Sequence, residues 1–226
     1  MRLGSLLLWD IRSQKKYGFY FLYAVLTVIY TVALFAVPVS WKDKTAAILI
    51  FSDPASMGLF FMGAIVLLEK SQHTPCAFAV SPVCPMEYII AKVSSLSAIS
   101  LVVAAILALV ASTSNLHIVL FGTIIASAIF TLFGIIIATK IVSLNQFILW
   151  TVPIEIVCFV PAILHLFKIT PAWLQYYPIN VCMEMISGSA PSAMGLFSVI
   201  ALMAILLVLS QNCVLKMWSS TGGMKL

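Results

Sequence analysis

The sequence predicts an all-α integral membrane protein with six transmembrane helices, an amphipathic helix before them and a broken segment before the sixth. Of its 226 residues, 63% are hydrophobic and only 8% are charged, and the mean hydropathy is +1.15. A soluble domain has about half apolar and about a quarter charged residues, so a soluble fold could not keep this much apolar surface from water. The net charge of +5 rests on too few residues for a nucleic-acid surface. We therefore expect a lipid bilayer as partner and no nucleic acid.

Six apolar runs define the expected spans of a single transmembrane domain over residues 1–226. Each run is long enough to cross a hydrocarbon core of about 30 Å. Their apolarity is continuous rather than alternating, which favours helices over the strands of a barrel. The runs cover residues 19–38, 46–68, 88–111, 118–138, 146–166 and 193–213.

The second run contains a helix start signal. Aspartate is a good N-cap and proline suits the first helical position, so Asp53 and Pro54 predict that a regular helix begins there. Residues 46–52 would then form a separate interfacial piece.

The basic residues predict that both termini are cytoplasmic, in a bacterial plasma membrane. Loops that stay in the cytoplasm carry an excess of Lys and Arg. With six crossings, nine basic residues fall on the side of the termini and three on the other. The first set is Arg2, Arg12, Lys15, Lys16, Lys70, Lys92, Lys140, Lys216 and Lys225, and the second is Lys42, Lys44 and Lys168.

Two segments are neither spans nor simple turns. Residues 1–17 predict an amphipathic helix along the cytoplasmic membrane surface. Its apolar face would carry Leu3, Leu7 and Ile11, and its polar face Ser5, Arg12 and Lys16. Residues 167–192 are aromatic and rich in proline, which predicts short helices that dip into the outer leaflet. Trp173, Tyr176 and Tyr177 would lie at the level of the headgroups.

Polar residues within the apolar runs are candidates for function. Glu155 lies near the middle of the fifth run, where a charge is costly and indicates either a functional site or a hydrogen-bonded carboxyl group that faces the bundle. Glu69 ends the second run and is expected to pair with a basic neighbour. Small residues and serines indicate close helix packing. They are Gly122, Ala126, Gly134 and Ala138 in the fourth run and Ser94, Ser97 and Ser100 in the third.

The motifs of an enzyme are missing from the sequence. It contains no phosphate-binding loop and no set of nucleophile and base. His73, Cys76 and Cys84 lie close together but lack a fourth ligand at a metal-binding spacing, so ordinary loop residues are the favoured interpretation. Any uphill transport would therefore take its energy from a partner ATPase or an ion gradient.

The stretch from 66 to 102 resembles the loop between the second and third spans of ABC transporter permeases of the type-2 export class. In that family a Glu ends the second helix, and a short helix that docks on the ATPase leads to the third. The matching residues here are Glu69-Lys70, Ser81-Pro82, Glu87-Tyr88 and Lys92. The run at 51–70 is similar too. The whole chain is most similar to small stand-alone permeases of fluoroquinolone or multidrug export.

The resemblance implies a homodimer of permease chains with two separate ATPase chains. ATP and magnesium would bind to the ATPase, with no cofactor in this chain, and residues 70–86 would form the cytoplasmic coupling segment. Substrate would pass along the two-fold axis between the second and fifth spans. The implied coupling residues are Arg12, Lys16, Glu69, Lys70, His73 and Phe78, and the implied pathway residues are Phe60, Phe61, Glu155 and Phe159.

Two contacts are expected within the coupling segment. Its seventeen residues from Lys70 to Met86 exceed the roughly 2–8 of most helix–helix connections, which indicates a role beyond connection. We expect Phe78 to insert into a cleft of the ATPase, and Glu69 to brace the segment through Arg12 or Lys16.

The function expected from these observations is that of the membrane-spanning subunit of an ATP-driven exporter. It would move hydrophobic, drug-like compounds by alternating access. Three alternatives stay open: an exporter of amphipathic or toxic peptides, an ion-coupled secondary transporter that uses Glu155, and a membrane assembly factor without transport.

Overall fold

The computed structural model describes residues 2–52, 57–113 and 115–221, and the regular structure in these ranges is entirely helical. Ten α-helices and one 3-10 helix follow one another in this part of the chain. They are α1 (Arg2–Lys16), α2 (Phe19–Ala36), α3 (Val39–Ile50), α4 (Met57–Ser71), α5 (Thr74–Ala79), α6 (Pro85–Ala111), α7 (Leu116–Lys140), α8 (Leu144–Leu166), the 3-10 helix Ala172–Tyr176, α9 (Pro178–Ile186) and α10 (Ala193–Thr221).

Five of these helices are long and apolar enough to cross a membrane. They are α2, α6, α7, α8 and α10, with mean hydropathies between 2.1 and 2.6. Their positions coincide with the first, third, fourth, fifth and sixth predicted runs to within a few residues, except that α10 extends well past residue 213.

The second predicted run is divided between two shorter helices. α3 begins at Val39 rather than at 46, and α4 begins at Met57, so neither is long enough to cross a membrane alone. A charged stretch at Lys42–Lys44 opens α3, and its buried face starts only at Ala46. The predicted cap at Asp53 and Pro54 lies outside the described residues.

The N-terminal segment is a helix, but the face that it buries is polar. Leu3, Leu7 and Ile11 are half-buried, whereas Asp10 and Gln14 are 1% exposed. These two residues are four apart and therefore lie on one face of the helix. The position of α1 on a membrane surface stays a prediction.

Helix α7 forms the centre of the bundle, where small residues allow close approach. A Cβ at Gly134 would lie 2.7 Å from the carbonyl oxygen of Leu59 in α4, and one at Gly122 would lie 2.6 Å from the Cβ of Met185 in α9. Both glycines and their predicted partners, Ala126 and Ala138, are buried. The predicted packing role of these residues is therefore confirmed.

The bundle has two ends, separated by the length of α7. At one end, Lys70 Nζ donates to the carbonyl oxygens of Ala138, Thr139 and Ile141 at 2.7, 2.9 and 2.7 Å. At the other end, Asn115 Nδ2 donates to the carbonyl oxygen of Gly188 at 2.9 Å. The 25 residues of α7 span about 37 Å at 1.5 Å per residue.

The region before α10 forms two short helices, as the sequence predicts. The 3-10 helix carries Trp173, which is 78% exposed. In contrast, α9 is buried along most of its length against α7, α8 and α10. A membrane depth for this region stays a prediction.

Candidate coupling site

Three charged side chains from three helices meet in the interior near the Lys70 end of the bundle. Lys92 of α6 forms ion pairs with Asp10 of α1 and Glu69 of α4. Asp10, Glu69 and Lys92 are 1%, 3% and 2% exposed. Removing charges from water is costly unless each is paired and hydrogen-bonded. The ion pairs therefore hold α1, α4 and α6 in one arrangement.

Neutral donors complete the hydrogen bonding of the two carboxylates. Tyr88 Oη donates to Glu69 Oε2 at 2.6 Å, and Ser95 Oγ donates to Asp10. Gln14 Nε2 lies 3.1 Å from Asp10 Oδ2 and 2.9 Å from Ser95 Oγ. Two carboxylates share one ammonium group, so these donors stabilise the surplus negative charge. We call this set the coupling cluster: Asp10, Gln14, Glu69, Tyr88, Lys92 and Ser95.

Aromatic rings cover the coupling cluster and connect it to α5 and α10. The ring of Phe78 lies 6.2 Å from that of Trp9, 5.5 Å from Tyr88 and 5.7 Å from Trp218. The ammonium group of Lys92 lies 5.3 Å from the ring centroids of both Trp9 and Tyr88. A displacement of α5 would therefore act directly on the groups around Lys92.

The expected brace between Glu69 and Arg12 or Lys16 is wrong. Glu69 pairs with Lys92, whereas Arg12 and Lys16 are exposed. Arg12 follows Asp10 by two positions, about 200° around the helix, so it faces away when Asp10 faces α6. Glu69 still reaches α1, but through Lys92 and Asp10.

The insertion of Phe78 into a partner stays a prediction. Its ring is half-buried among Trp9, Tyr88 and Trp218, and we call these four rings the aromatic cover. The apolar residue that α5 leaves free is Val80, which is 80% exposed at the C-terminal end of the helix. A partner docked on α5 would meet Val80 and the exposed Ala77 first.

The other two predicted coupling residues, Lys70 and His73, are not part of the coupling cluster. Lys70 lies beyond the second apolar run and caps the carbonyl end of α7, where partial burial lowers the pKa of its ammonium group. His73 is exposed and takes a left-handed conformation, with φ of 56°, just before α5. Among residues 2–52, 57–113 and 115–221, no three His, Cys, Asp or Glu side chains are grouped so that they could hold a metal ion.

The predicted pathway residues do not meet in one place. Phe61 is buried against α2, with its ring 4.7 Å from Phe19 and 5.0 Å from Tyr23. Phe159 packs instead against Phe51, at 5.0 Å, and Phe130, at 6.1 Å. Phe60 and Glu155 are half-buried on α4 and α8. A role of these four residues in transport stays a prediction.

Sequence reasoning missed Asp10 and Lys92 as functional candidates. Lys92 was expected to be one of the cytoplasmic charges that set the orientation, but it is buried. Two signals were available in the sequence. Asp10 interrupts the apolar run of an amphipathic segment, and Lys92 lies inside a predicted helix, four residues after Tyr88. Charges at such positions require partners.

The five long apolar helices point to a multi-pass integral membrane protein. The chain belongs to the fluoroquinolones export permease protein family, whose family model matches residues 1–220. The predicted resemblance to fluoroquinolone export permeases is thereby confirmed.

Two relatives from Mycobacterium tuberculosis, of different strains, are each named a fluoroquinolones export permease protein. Both are 30% identical to this chain over 117 residues, which cover 52% of this chain and 49% of the relative. The chain thus spans about half the length of the curated relatives it matches.

Proposed function

We propose that this chain is the membrane-spanning subunit of an ATP-driven ABC exporter in a bacterial plasma membrane. Two copies would work with two ATPase subunits, which bind ATP and magnesium. Membership of the export permease family supports the class of function. The named relatives and the apolar helices favour fluoroquinolones and other amphipathic drugs as substrates.

The observation that carries this proposal is the connection from α5 to the buried coupling cluster. α5 is a short helix that leaves Val80 exposed and anchors Phe78 beside Lys92 through the aromatic cover. A partner that pushes on α5 would shift rings that touch α1, α6 and α10 together. A motor subunit that must move several spans at once needs such a contact.

Six crossings with cytoplasmic termini fit the positions of the helix ends. α3 begins near the far end of the bundle, where the ring of Trp41 lies 6.4 Å from that of Phe167. α4 ends in the coupling cluster at Glu69, so the pair α3–α4 runs from one end to the other. α1 and Trp218 of α10 both lie at the coupling end. An even number of crossings places them on one side, which the basic residues assign to the cytoplasm.

The second copy would cover apolar surface that a single chain leaves open. α2 and α8 expose large apolar side chains along their length, among them Phe21, Val32, Leu149 and Val157. Part of this surface would face lipid, and two-fold dimers are the commonest closed assemblies of identical chains. The proposed path lies between the copies.

Retention of the ATPase subunit by the permease tests the coupling role of α5. Val80→Asp places a charge on its exposed end, so we expect several-fold less ATPase to co-purify from the same membranes. Val39→Asp is the matched control, because Val39 is 83% exposed at the opposite end and should leave retention unchanged. Equal retention in Val80→Asp and wild type, at equal thermal stability, would contradict the proposal.

A further inference from the structure

A polar pocket lies at the end of the bundle opposite the coupling cluster. A cavity of about 330 Å³ opens between the C-terminal end of α8, the segment after it and α9. Small-molecule sites have volumes of about 300–1,000 Å³, so the cavity can hold a compact drug-sized molecule. Its polar lining includes His165, Lys168, Thr170, Glu184 and Ser187.

Charges of both signs line this pocket without neutralising each other. Lys168 and Glu184 both contribute to the wall, and the ion pairs within the described ranges are those of Lys92. The ammonium group and the carboxylate therefore stand too far apart to pair directly. A ligand that carries an anionic and a cationic group at separate positions could satisfy both.

The backbone at Lys168 is unusual for a lysine. The residue ends α8 in the left-handed conformation, with φ of 59°, and its amide donates to the carbonyl oxygen of His165 at 2.9 Å. Glycine or asparagine commonly fills this position, because side chains disfavour the conformation. Strain of this kind occurs at binding sites, where the side chain is needed.

The rest of the lining provides hydrogen-bonding groups and an apolar wall. His165 Nδ1 lies 3.1 Å from Thr170 Oγ1, which ties together the segment that carries Lys168. The Ser187 hydroxyl donates to the carbonyl oxygen of Glu184 at 2.7 Å and fixes the opposite wall. Leu166 and Met183 add apolar surface. A few polar groups set in an apolar wall are typical of small-molecule sites.

We propose that this pocket binds a zwitterionic amphiphile, with its carboxylate at Lys168 and its ammonium group at Glu184. The inference rests on the proposed function, because the pocket lies at the external end only if the coupling end is cytoplasmic. Fluoroquinolones with a basic amine are zwitterions of this kind: a ring system bears the carboxylate, and the amine lies on the opposite side. The pocket is then an external site for the exported compound.

Equilibrium dialysis of the purified full chain against three probes tests the pocket. Norfloxacin carries both charges, its methyl ester keeps only the amine, and nalidixic acid keeps only the carboxylate. We expect norfloxacin to bind roughly tenfold more tightly than either single-charge probe, because hydrogen bonds to charged groups are the stronger ones. Equal affinities for all three probes would overturn the inference.

Charge-removing variants identify the contact that each probe makes. Lys168→Met should weaken norfloxacin roughly tenfold and leave its methyl ester unchanged, since each contact involves one charge. Glu184→Gln should weaken both of these probes and leave nalidixic acid unchanged. Lys216→Met removes an exposed charge on α10 and should change nothing.

A second substitution separates binding from folding. Lys168→Gly relieves the left-handed backbone while it removes the charge, so the chain should be at least as stable and still lose norfloxacin affinity. Wild-type affinity in Lys168→Gly would overturn the pocket, even if the chain exports norfloxacin. Probe-selective binding in a chain that transports nothing would support the pocket and contradict the proposed exporter.

Discussion

Replacement of Lys92 by methionine removes the ammonium group that Asp10 and Glu69 share. Methionine keeps a similar length, so the change acts on charge more than on packing. All three residues are at most 3% exposed, so water cannot replace the lost partner. The two carboxylates would then remain in the interior with hydrogen bonds from Tyr88, Ser95 and Gln14 only.

The expected cost of Lys92→Met follows from this geometry. Removing one partner of a buried ion pair destabilises a protein by about 3–5 kcal/mol. For a chain of about this size each kcal/mol lowers the unfolding midpoint by about 2–4 °C, so the predicted loss is roughly 6–20 °C. Adding Asp10→Asn and Glu69→Gln to the variant removes the stranded charges and should restore part of this loss.

Thermal unfolding of the full chain in lipid nanodiscs, followed by tryptophan fluorescence, measures the effect. Two of the five tryptophans, Trp9 and Trp218, belong to the aromatic cover, so part of the signal reports on the site itself. Lys216→Met, which removes an exposed lysine, is the control and should shift the midpoint by less than about 2 °C, as surface changes do. If Lys92→Met behaves like this control, the cluster does not hold the three helices together.

Three further predictions follow from the same packing. Tyr88→Phe deletes the hydroxyl that donates to Glu69, and should cost about 1.5–3 kcal/mol in the free energy of unfolding, as for hydrogen bonds to charged groups; no change would show that the bond is not formed. Gly134→Ala places a methyl group against the backbone of α4 and should cost about 1–3 kcal/mol. Gly4→Ala is the control: it also lies in a helix but has open space around its Cβ, so it should not destabilise the chain. Equal stability of the two variants would refute the close contact. Cys84 is exposed at the coupling end. With the other cysteines removed, an impermeant maleimide should label it only after the cell membrane is opened, and labelling of intact cells would reverse the orientation.

The long helices could be predicted from the sequence because lipid imposes a simple rule. A segment that crosses hydrocarbon must be long, apolar and helical, and five runs meet this rule in the structure. The second run is continuous in apolarity, but Asp53 and Pro54 already predict a helix start within it. In the structure, the helical parts of this run belong to α3 and α4.

The coupling cluster could not be predicted, because it depends on how separate helices meet. Lys92 is 82 positions from Asp10 and 23 from Glu69, and no local pattern relates them. The loop-length argument did identify the segment around Phe78, which lies at the site. It could not reveal the neighbours of Phe78, because the ring packs against Trp218, which is far away in sequence.

Norfloxacin uptake by inside-out vesicles that contain this chain and its ATPase tests the central claim most directly. We expect accumulation that requires ATP and the ATPase subunit and that persists when an uncoupler abolishes the proton gradient. The contact between Lys92 and Asp10 is tested in the same assay with the variant Lys92→Met, which should reduce uptake per inserted chain. Uptake that proceeds without ATP, follows an imposed proton gradient and disappears in Glu155→Gln would contradict the account and establish the ion-coupled alternative.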